Sequence, residues 1–241
     1  MIIWHIAILA AYFVKGLAGF GNSLIHTGVM AFFLENSVIT PVDLLLTLPA
    51  NIAMMWKHRA HLIRRIWLPA ALISAIFLVP GALLLRNLNG RIIKLIFGAV
   101  VIAISLDLLR NKDQTNTAPT VLSRVITWIM IVLSGILSGM FGVGALMAAA
   151  MGKMTGSSRE LKANMSAVYS LNDTFRVIIY SLTGLLTWPR VLQALTLFPA
   201  MAVGLFLGMK CAGKLSERSV RLCIVVVLAA SGLMLIINNL R

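Results

Sequence analysis

The chain is expected to fold as an all-α, polytopic membrane protein built from two related halves, and two observations predict this. Sixty per cent of its 241 residues are apolar and only twelve per cent charged. Its mean hydropathy is +0.96, whereas soluble domains carry about 25% charged residues. The same apolar design is also written twice, with a glycine cluster inside a membrane-length stretch of each copy. The clusters are Gly16-Leu-Ala-Gly-Phe-Gly-Asn22 and Gly135-Ile-Leu-Ser-Gly-Met-Phe-Gly-Val-Gly144. Paired, glycine-interrupted apolar segments in matching halves point to a secondary transporter and to its binding site.

Taken in order, apolar segments cover 2–34, 41–56, 66–85, 92–109, 125–154, 163–186, 191–209 and 220–240. A spanning helix needs about 20 apolar residues. The first and fifth segments exceed one span and fall short of two, and the glycines break both near the middle. Each is either one kinked helix or a re-entrant pair of half-helices, since irregular backbone at membrane depth survives only where protein or water surrounds it. Charge decides between them. If every segment crosses once, Lys and Arg divide evenly between the two sides. If the first and fifth segments return to the side they came from, one face collects Lys57, Arg59, Arg64, Arg65, Arg110, Lys112, Arg124, Lys153, Arg159, Lys162, Lys210, Lys214, Arg218 and Arg221. The other keeps Arg86, Arg91, Lys94, Arg190 and Arg241. That asymmetry is what the positive-inside rule describes, and it makes the richer face cytoplasmic. Each half then holds a glycine-broken first element and three crossings, so the halves are inverted. Repeat one is expected over 1–110, the polar linker over 111–123 and repeat two over 124–241, all in one membrane domain.

The net charge of +14 does not indicate nucleic acid. The basic residues form short clusters between apolar runs, where membrane orientation and anionic lipid headgroups favour them, rather than one polar face. Cys211 and Cys223 are too few for a disulfide framework and have no metal-ligand partners nearby. The first residues lack the basic start and small-residue cleavage site of a secretory signal, so the first segment is expected in the mature protein. No Walker loop, HExxH, G-x-S-x-G or zinc-spaced cysteine pair is present in the sequence, which argues against an ATP-driven pump or an enzyme and calls for no cofactor.

The candidate site follows from the breaks. A half-helix beginning at mid-membrane presents unpaired N–H groups and the positive end of its dipole. Glycines let backbone approach a ligand without a Cβ in the way. Two such N-termini would make an anion site from few charged side chains. Gly19, Phe20 and Gly21 in the first break, and Gly139, Phe141, Gly142 and Gly144 in the second, are therefore candidate substrate contacts. Asn22 and Ser23 stand where a cap or ligand donor is useful. At a spacing of 121 residues, Phe20-Gly21 matches Phe141-Gly142, Asn51 matches Asn172 and Trp67 matches Trp188. The asparagines contact substrate, the broken backbone or another helix. Leu88–Lys94 matches Leu215–Arg221 after a further shift of six. Asp173 and Arg176 are expected to be the only opposite charges within a span, paired on one helix face at i,i+3. Arg176 is the candidate anion contact, with Asp173 holding it or coupling to a proton; a locking ion pair is the structural alternative. His26 is the second coupling candidate. Lys15 snorkels or lines an access route.

At the breaks the chain resembles the TauE/SafE, or sulfite exporter, family of permeases. Gly19-Phe-Gly21 and Phe141-Gly-Val-Gly144 carry the likeness, with the basic stretch from Lys57 to Arg65 and the Leu-x-x-Arg-x-x-(Lys/Arg) signals at Leu88 and Leu215. It extends over essentially the whole chain. Family members carry a longer glycine run followed by a proline; here Asn22-Ser23 and Val143-Gly144-Ala145 stand in those places. The resemblance implies export or exchange of sulfite, an organosulfonate or another small organic anion across a bacterial inner membrane. A proton or Na+ is the coupling ion in question, and a homodimer suits so small a permease. The alternatives are a cation or neutral-solute carrier using Asp173, and a membrane assembly or scaffold protein whose glycines serve packing alone.

Overall fold

The computed structural model describes residues 2–110, 121–142 and 144–212, with positions 233 and 236. Among these there are nine α-helices and no strand. They are α1 (Ile2–Ala18), α2 (Asn22–Met30), α3 (Asn36–Lys57), α4 (Arg64–Asn87), α5 (Gly90–Arg110), α6 (Val121–Phe141), α7 (Ala145–Gly152), α8 (Ser158–Leu182) and α9 (Trp188–Cys211). Four of them, α3, α4, the Arg124–Phe141 part of α6 and α9, are long and apolar enough to cross a membrane. Large apolar side chains cover their outer faces; Ile76, Leu195 and Phe206 are all more than half exposed. An apolar surface of this extent suits lipid rather than water. Linker residues 111–120, the Leu215–Arg221 signal, Cys223 and most of the segment 220–240 lie outside the described residues.

Two element boundaries differ from expectation. The second apolar segment begins at Asn36 rather than at 41, because Pro41 and Pro49 are carried inside α3 instead of delimiting it. Neighbouring helices let membrane helices tolerate interior proline. The sixth begins at Ser158, where a capping box starts it early. Ser157 Oγ accepts from the Glu160 N–H at 3.2 Å, and the Glu160 carboxylate accepts from the Gly156 N–H at 2.9 Å.

α1 ends at Ala18 and α2 starts at Asn22, with Gly19 and Gly21 between them at φ 93° and 94°. α6 ends at Phe141 and α7 starts at Ala145, with Gly142 at φ 71°. Helix ends therefore correspond at a spacing of 123, whereas the left-handed Gly142 matches Gly19 at 123 and Gly21 at 121, the spacing of the Phe-Gly pairs. The two tryptophans differ as well: Trp188 is 70% exposed at the start of α9, whereas Trp67 is half-buried against the α7–α8 cluster.

α2 folds back beside α1. Lys15 near the end of α1 meets Asn22 at the start of α2, and Trp4 near the beginning of α1 meets His26 farther along α2. α1 runs parallel to α9, with Gly204 against the Leu9 carbonyl and Gly208 against that of Phe13. α4 runs parallel to α6 in the same manner, with Gly135 against the Ser74 carbonyl and Gly139 against that of Leu78. α8 packs antiparallel to α3: its start touches the loop after α3, and Asp173 meets Asn51. In that loop the Ile63 N–H donates to Asn164 Oδ1 at 2.9 Å, which brings the basic residues 57–65 and 159–162 to one end of the molecule. Burial, with Lys162, Lys57, His61 and Arg159 nearby, holds the His58 imidazole below its ordinary range.

The parallel pairs depend on missing side chains, as small residues allow in membranes. A Cβ on Gly81 would lie 2.1 Å from the Ile136 carbonyl oxygen, and one on Gly208 2.1 Å from that of Phe13. Gly81→Ala and Gly208→Ala are each expected to destabilise the protein by about 1–3 kcal/mol through forced helix separation. Gly156→Ala, whose Cβ would meet only the Glu160 carboxylate at 3.7 Å, should leave stability unchanged. Thermal unfolding in detergent measures all three.

Candidate functional site

Three polar stripes on otherwise apolar helices meet at the breaks. On α3, Asp43, Thr47 and Asn51 recur every fourth residue and so share one face. On α8 the stripe is Tyr169, Asp173, Arg176 and Tyr180, and α1 adds Tyr12 and Lys15. All of these side chains are buried. They surround a cavity of about 20 Å³ lined by Lys15, Thr47, Ser138, Tyr169 and Asp173, together with Gly21, Asn22 and Ser23 of one break and Gly142 and Gly144 of the other. Both breaks therefore border the same space, which has room for about one water.

Two hydrogen-bond systems flank it. In the first, Arg176 Nη1 donates to Asp173 Oδ1 at 3.2 Å, and Asn51 Nδ2 donates to Asp173 Oδ2 at 2.8 Å. Arg176 Nη2 donates to the Tyr180 hydroxyl at 3.3 Å, which donates onward to the Gly139 carbonyl at 2.5 Å. This ties α3, α8 and the last turn of α6 together. Arg176 Nε has no partner among the described residues. The guanidinium lies 3.3 Å from where a Cβ on Gly142 would be, and Ser23 Oγ lies at the same distance.

In the second system, Lys15 Nζ donates to Asn22 Oδ1 at 3.1 Å, and Asn22 Nδ2 donates to Thr47 Oγ1 at 2.9 Å and to Ser23 Oγ at 3.3 Å. Thr47 and Tyr12 share a hydrogen bond of 2.8 Å. Tyr12 donates to Asp43 Oδ1 at 3.4 Å, and Ser23 donates to Asp43 Oδ2 at 2.5 Å. His26 Nδ1 meets Asp43 Oδ1 at 3.1 Å, while Trp4 Nε1 donates to His26 Nε2 at 2.7 Å. An indole nitrogen only donates, so Nε2 accepts and the imidazole hydrogen is on Nδ1, directed at Asp43.

The expected site residues thus fall into three groups. Phe20, Gly21, Asn22, Ser23, Gly142, Gly144 and Asp173 line the cavity. Asn51, Arg176 and His26 stand one layer behind it. The others are turned away: Gly19 packs on Lys162, Gly139 on α4 and Phe141 on Phe97 with ring centroids 4.8 Å apart. Asn172 donates to Ser74 Oγ at 2.8 Å, because its place on α8 faces α4 rather than the breaks. Asp173 and Arg176 are not the only opposite charges in the interior, since Asp43 and Lys15 join them, 0% and 1% exposed. Asp43 escaped notice because α3 was expected to start only at 41; the earlier start puts it two turns in. The fourfold spacing of Asp43, Thr47 and Asn51 was the available signal. Lys15 neither snorkels nor reaches the surface. Among the described residues no group of His, Cys, Asp and Glu is arranged to hold a metal.

The family model described as sulfite exporter TauE/SafE matches residues 4–235 of the chain. No curated protein and no solved structure matches it.

The two asparagines differ in what they hold. Asn51 serves a carboxylate, and loss of a hydrogen bond to a charged group costs about 1.5–3 kcal/mol. Asn172 serves a hydroxyl, where membrane hydrogen bonds average about 0.6 kcal/mol. Asn51→Ala is expected to lower the unfolding temperature in detergent clearly more than Asn172→Ala.

Proposed function

As the chain belongs to the sulfite exporter TauE/SafE family, we propose that it is a secondary membrane permease for a small oxyanion, sulfite or an organosulfonate, bound between the two glycine breaks. The observation that carries this reading is the shared cavity, bordered by both breaks and backed by Arg176 against Gly142 and Ser23. α2 and α7 each begin with a glycine at the N-cap, which has no side chain to satisfy their first N–H groups. Such helix starts favour an anion. Lys15 adds a donor in the cavity wall, and the Arg176 guanidinium stands behind Gly142.

The two halves are inverted repeats, each with a re-entrant, glycine-broken first element. Helix directions support this. α1 runs parallel to α9, α4 parallel to α6, and α3 antiparallel to α8, so α1, α3 and α4 oppose their counterparts α6, α8 and α9. The return of α2 along α1 supports the re-entrant form. Alternating access would then rock one repeat against the other around the site, with no need of ATP. The end carrying residues 57–65 and 159–162 is the cytoplasmic one, in a bacterial inner membrane. Asp173 and His26 are the coupling candidates from the sequence.

A cation carrier is the second reading, favoured by the place of Asp173 in the cavity wall while Arg176 stands behind it. Ligand-dependent thermal stabilisation separates the two. Purified protein is heated with sulfite, sulfoacetate, taurine, sulfate, thiosulfate or small carboxylates, and in parallel with alkali and amine cations. An anion at 100 times its dissociation constant is expected to stabilise by about 2.7 kcal/mol. Arg176→Gln should abolish the response. Stabilisation by cations alone, or an anion response indifferent to Arg176, overturns the anion-permease reading.

A further inference from the structure

Every hydrogen bond in the second network points the same way, toward Asp43. Lys15 donates to Asn22, Asn22 to Thr47 and Ser23, and Ser23 to Asp43 Oδ2. Tyr12 donates to Asp43 Oδ1, which leaves Thr47 as the donor to Tyr12. His26, its Nε2 engaged by Trp4, directs its only N–H at Asp43 Oδ1. Oδ1 is thus occupied by two donors, while Oδ2 faces Ser23 alone. Ser23 lines the cavity, whereas Asp43 does not. A hydroxyl has one hydrogen. While Ser23 gives it to Asp43, it shows the cavity only lone pairs, which repel an anion.

We propose that Asp43 is the proton-coupling residue of the permease, and that Ser23 converts its protonation into anion binding. The inference rests on the anion-permease reading above and assigns the coupling to a residue that reading does not use. Ser23 passes its hydrogen to Asp43 Oδ2 and takes another from a cavity water, whose own broken O–H bond is restored by a proton delivered from bulk solvent. One O–H bond breaks at Ser23, one forms at Asp43 and one re-forms at Ser23, so a single proton enters and nothing is oxidised. Protonated Asp43 now donates back to Ser23 Oγ, and the new Ser23 hydrogen faces the cavity as a donor for the oxyanion. Anion and proton therefore bind together. By linkage the protonated site binds anion more tightly, and bound anion holds the proton more tightly.

The charged and titratable groups facing Asp43 are His26 from α2, Tyr12 and Lys15 from α1, and Asp173, Arg176 and Tyr180 from α8. α4, α5, α6 and α9 carry their charged residues only in their first or last five positions. Ser23 is the one of these neighbours that bridges Asp43 directly to the cavity wall.

The test uses methanesulfonate, whose own charge does not change across the range. Its affinity for the detergent-purified full chain is measured by thermal shift between about pH 5 and pH 8. Wild type is expected to bind up to tenfold more tightly for each unit the pH falls, because Asp43, held ionised in the empty site by Tyr12, Ser23 and His26, takes up its proton only as the anion binds. A pH-indicator dye should report one proton absorbed per anion bound on the alkaline side. In Asp43→Asn the side-chain amide donates permanently to Ser23, so binding at about pH 8 should match wild type at low pH and vary little. Ser23→Ala should also lose the pH slope, without the gain. A flat wild-type profile with Arg176-dependent binding overturns the coupling while leaving the anion site standing. A slope that survives Asp43→Asn or Ser23→Ala, or that vanishes in Asp173→Asn instead, also overturns it. If methanesulfonate and sulfite bind at no pH, the anion-permease reading falls and takes this inference with it.

Discussion

A charge inside a membrane protein persists only where other groups complete its hydrogen bonds, and the middle of this structure is organised by that requirement. Removing one partner of a buried ion pair costs about 3–5 kcal/mol, because the other charge is left without compensation. Here Asp173 is satisfied from both sides, by Asn51 of α3 and by Arg176 one turn along α8. Arg176 in turn holds Tyr180, whose hydroxyl reaches the carbonyl of Gly139 in the last turn of α6. The chain of bonds joins the two halves where α3 and α8 cross. It also determines how far α6 extends before its break, since Gly139 is three residues from the left-handed Gly142.

The glycines set the distances at which this can happen. α1 and α9, like α4 and α6, touch backbone to backbone at Gly204, Gly208, Gly135 and Gly139. The broken ends of α1 and α6 border one cavity. Capping then finishes each end differently. Lys162 Nζ donates to the Leu17 carbonyl at 2.6 Å, and the Tyr169 hydroxyl donates to that of Gly144 at 2.6 Å. A cation at a helix C-terminus also offsets its dipole, so charge stabilises the end of α1, while the Tyr169 phenol holds the carbonyl at the start of α7. The halves share a framework while differing in the chemistry that faces the cavity.

Much of this was legible in the chain. Apolar runs located the helices, and the glycine clusters located both breaks, because backbone that turns left-handed or touches backbone has few alternatives to glycine. Gly142 and Ser23 could be named as neighbours of a site on that ground alone. Asp43 could not, because a carboxylate two residues after a proline at the edge of an apolar run resembles a loop residue. Only the earlier start of α3 reveals it as an interior charge. Asn172 and Phe141 face away from the breaks for a related reason: identical residues at a constant spacing suggest equivalence, yet the helix ends correspond at 123, and a shift of two residues changes which face a helical residue presents. The pairing of Asn51 with Asp173 rather than with Asn172 depends on the angle between α3 and α8, which no local pattern encodes.

The four buried charges among the described residues, Lys15, Asp43, Asp173 and Arg176, suit a carrier better than a simple anion trap. A site of uncompensated cations would hold an anion too firmly to release it, and would be costly to keep empty in low dielectric. On the proposed reading, with Lys15 and Arg176 already balanced by Asp43 and Asp173, an arriving anion competes for donors that are otherwise engaged. Its binding is paid in rearranged hydrogen bonds, which favours exchange over retention. The cavity of about 20 Å³ is smaller than any sulfonate, so binding also requires the walls to part. The parallel helix pairs resist this through backbone contact, and α3 and α8 resist it through the Asp173 network. α7 is short and contributes no side chain to either network, whereas α2 is tied to its neighbours through Asn22, Ser23 and His26. On the proposed reading, a site whose donors come from α1, α2 and α8 couples its occupancy to the packing of those helices, as alternating access demands.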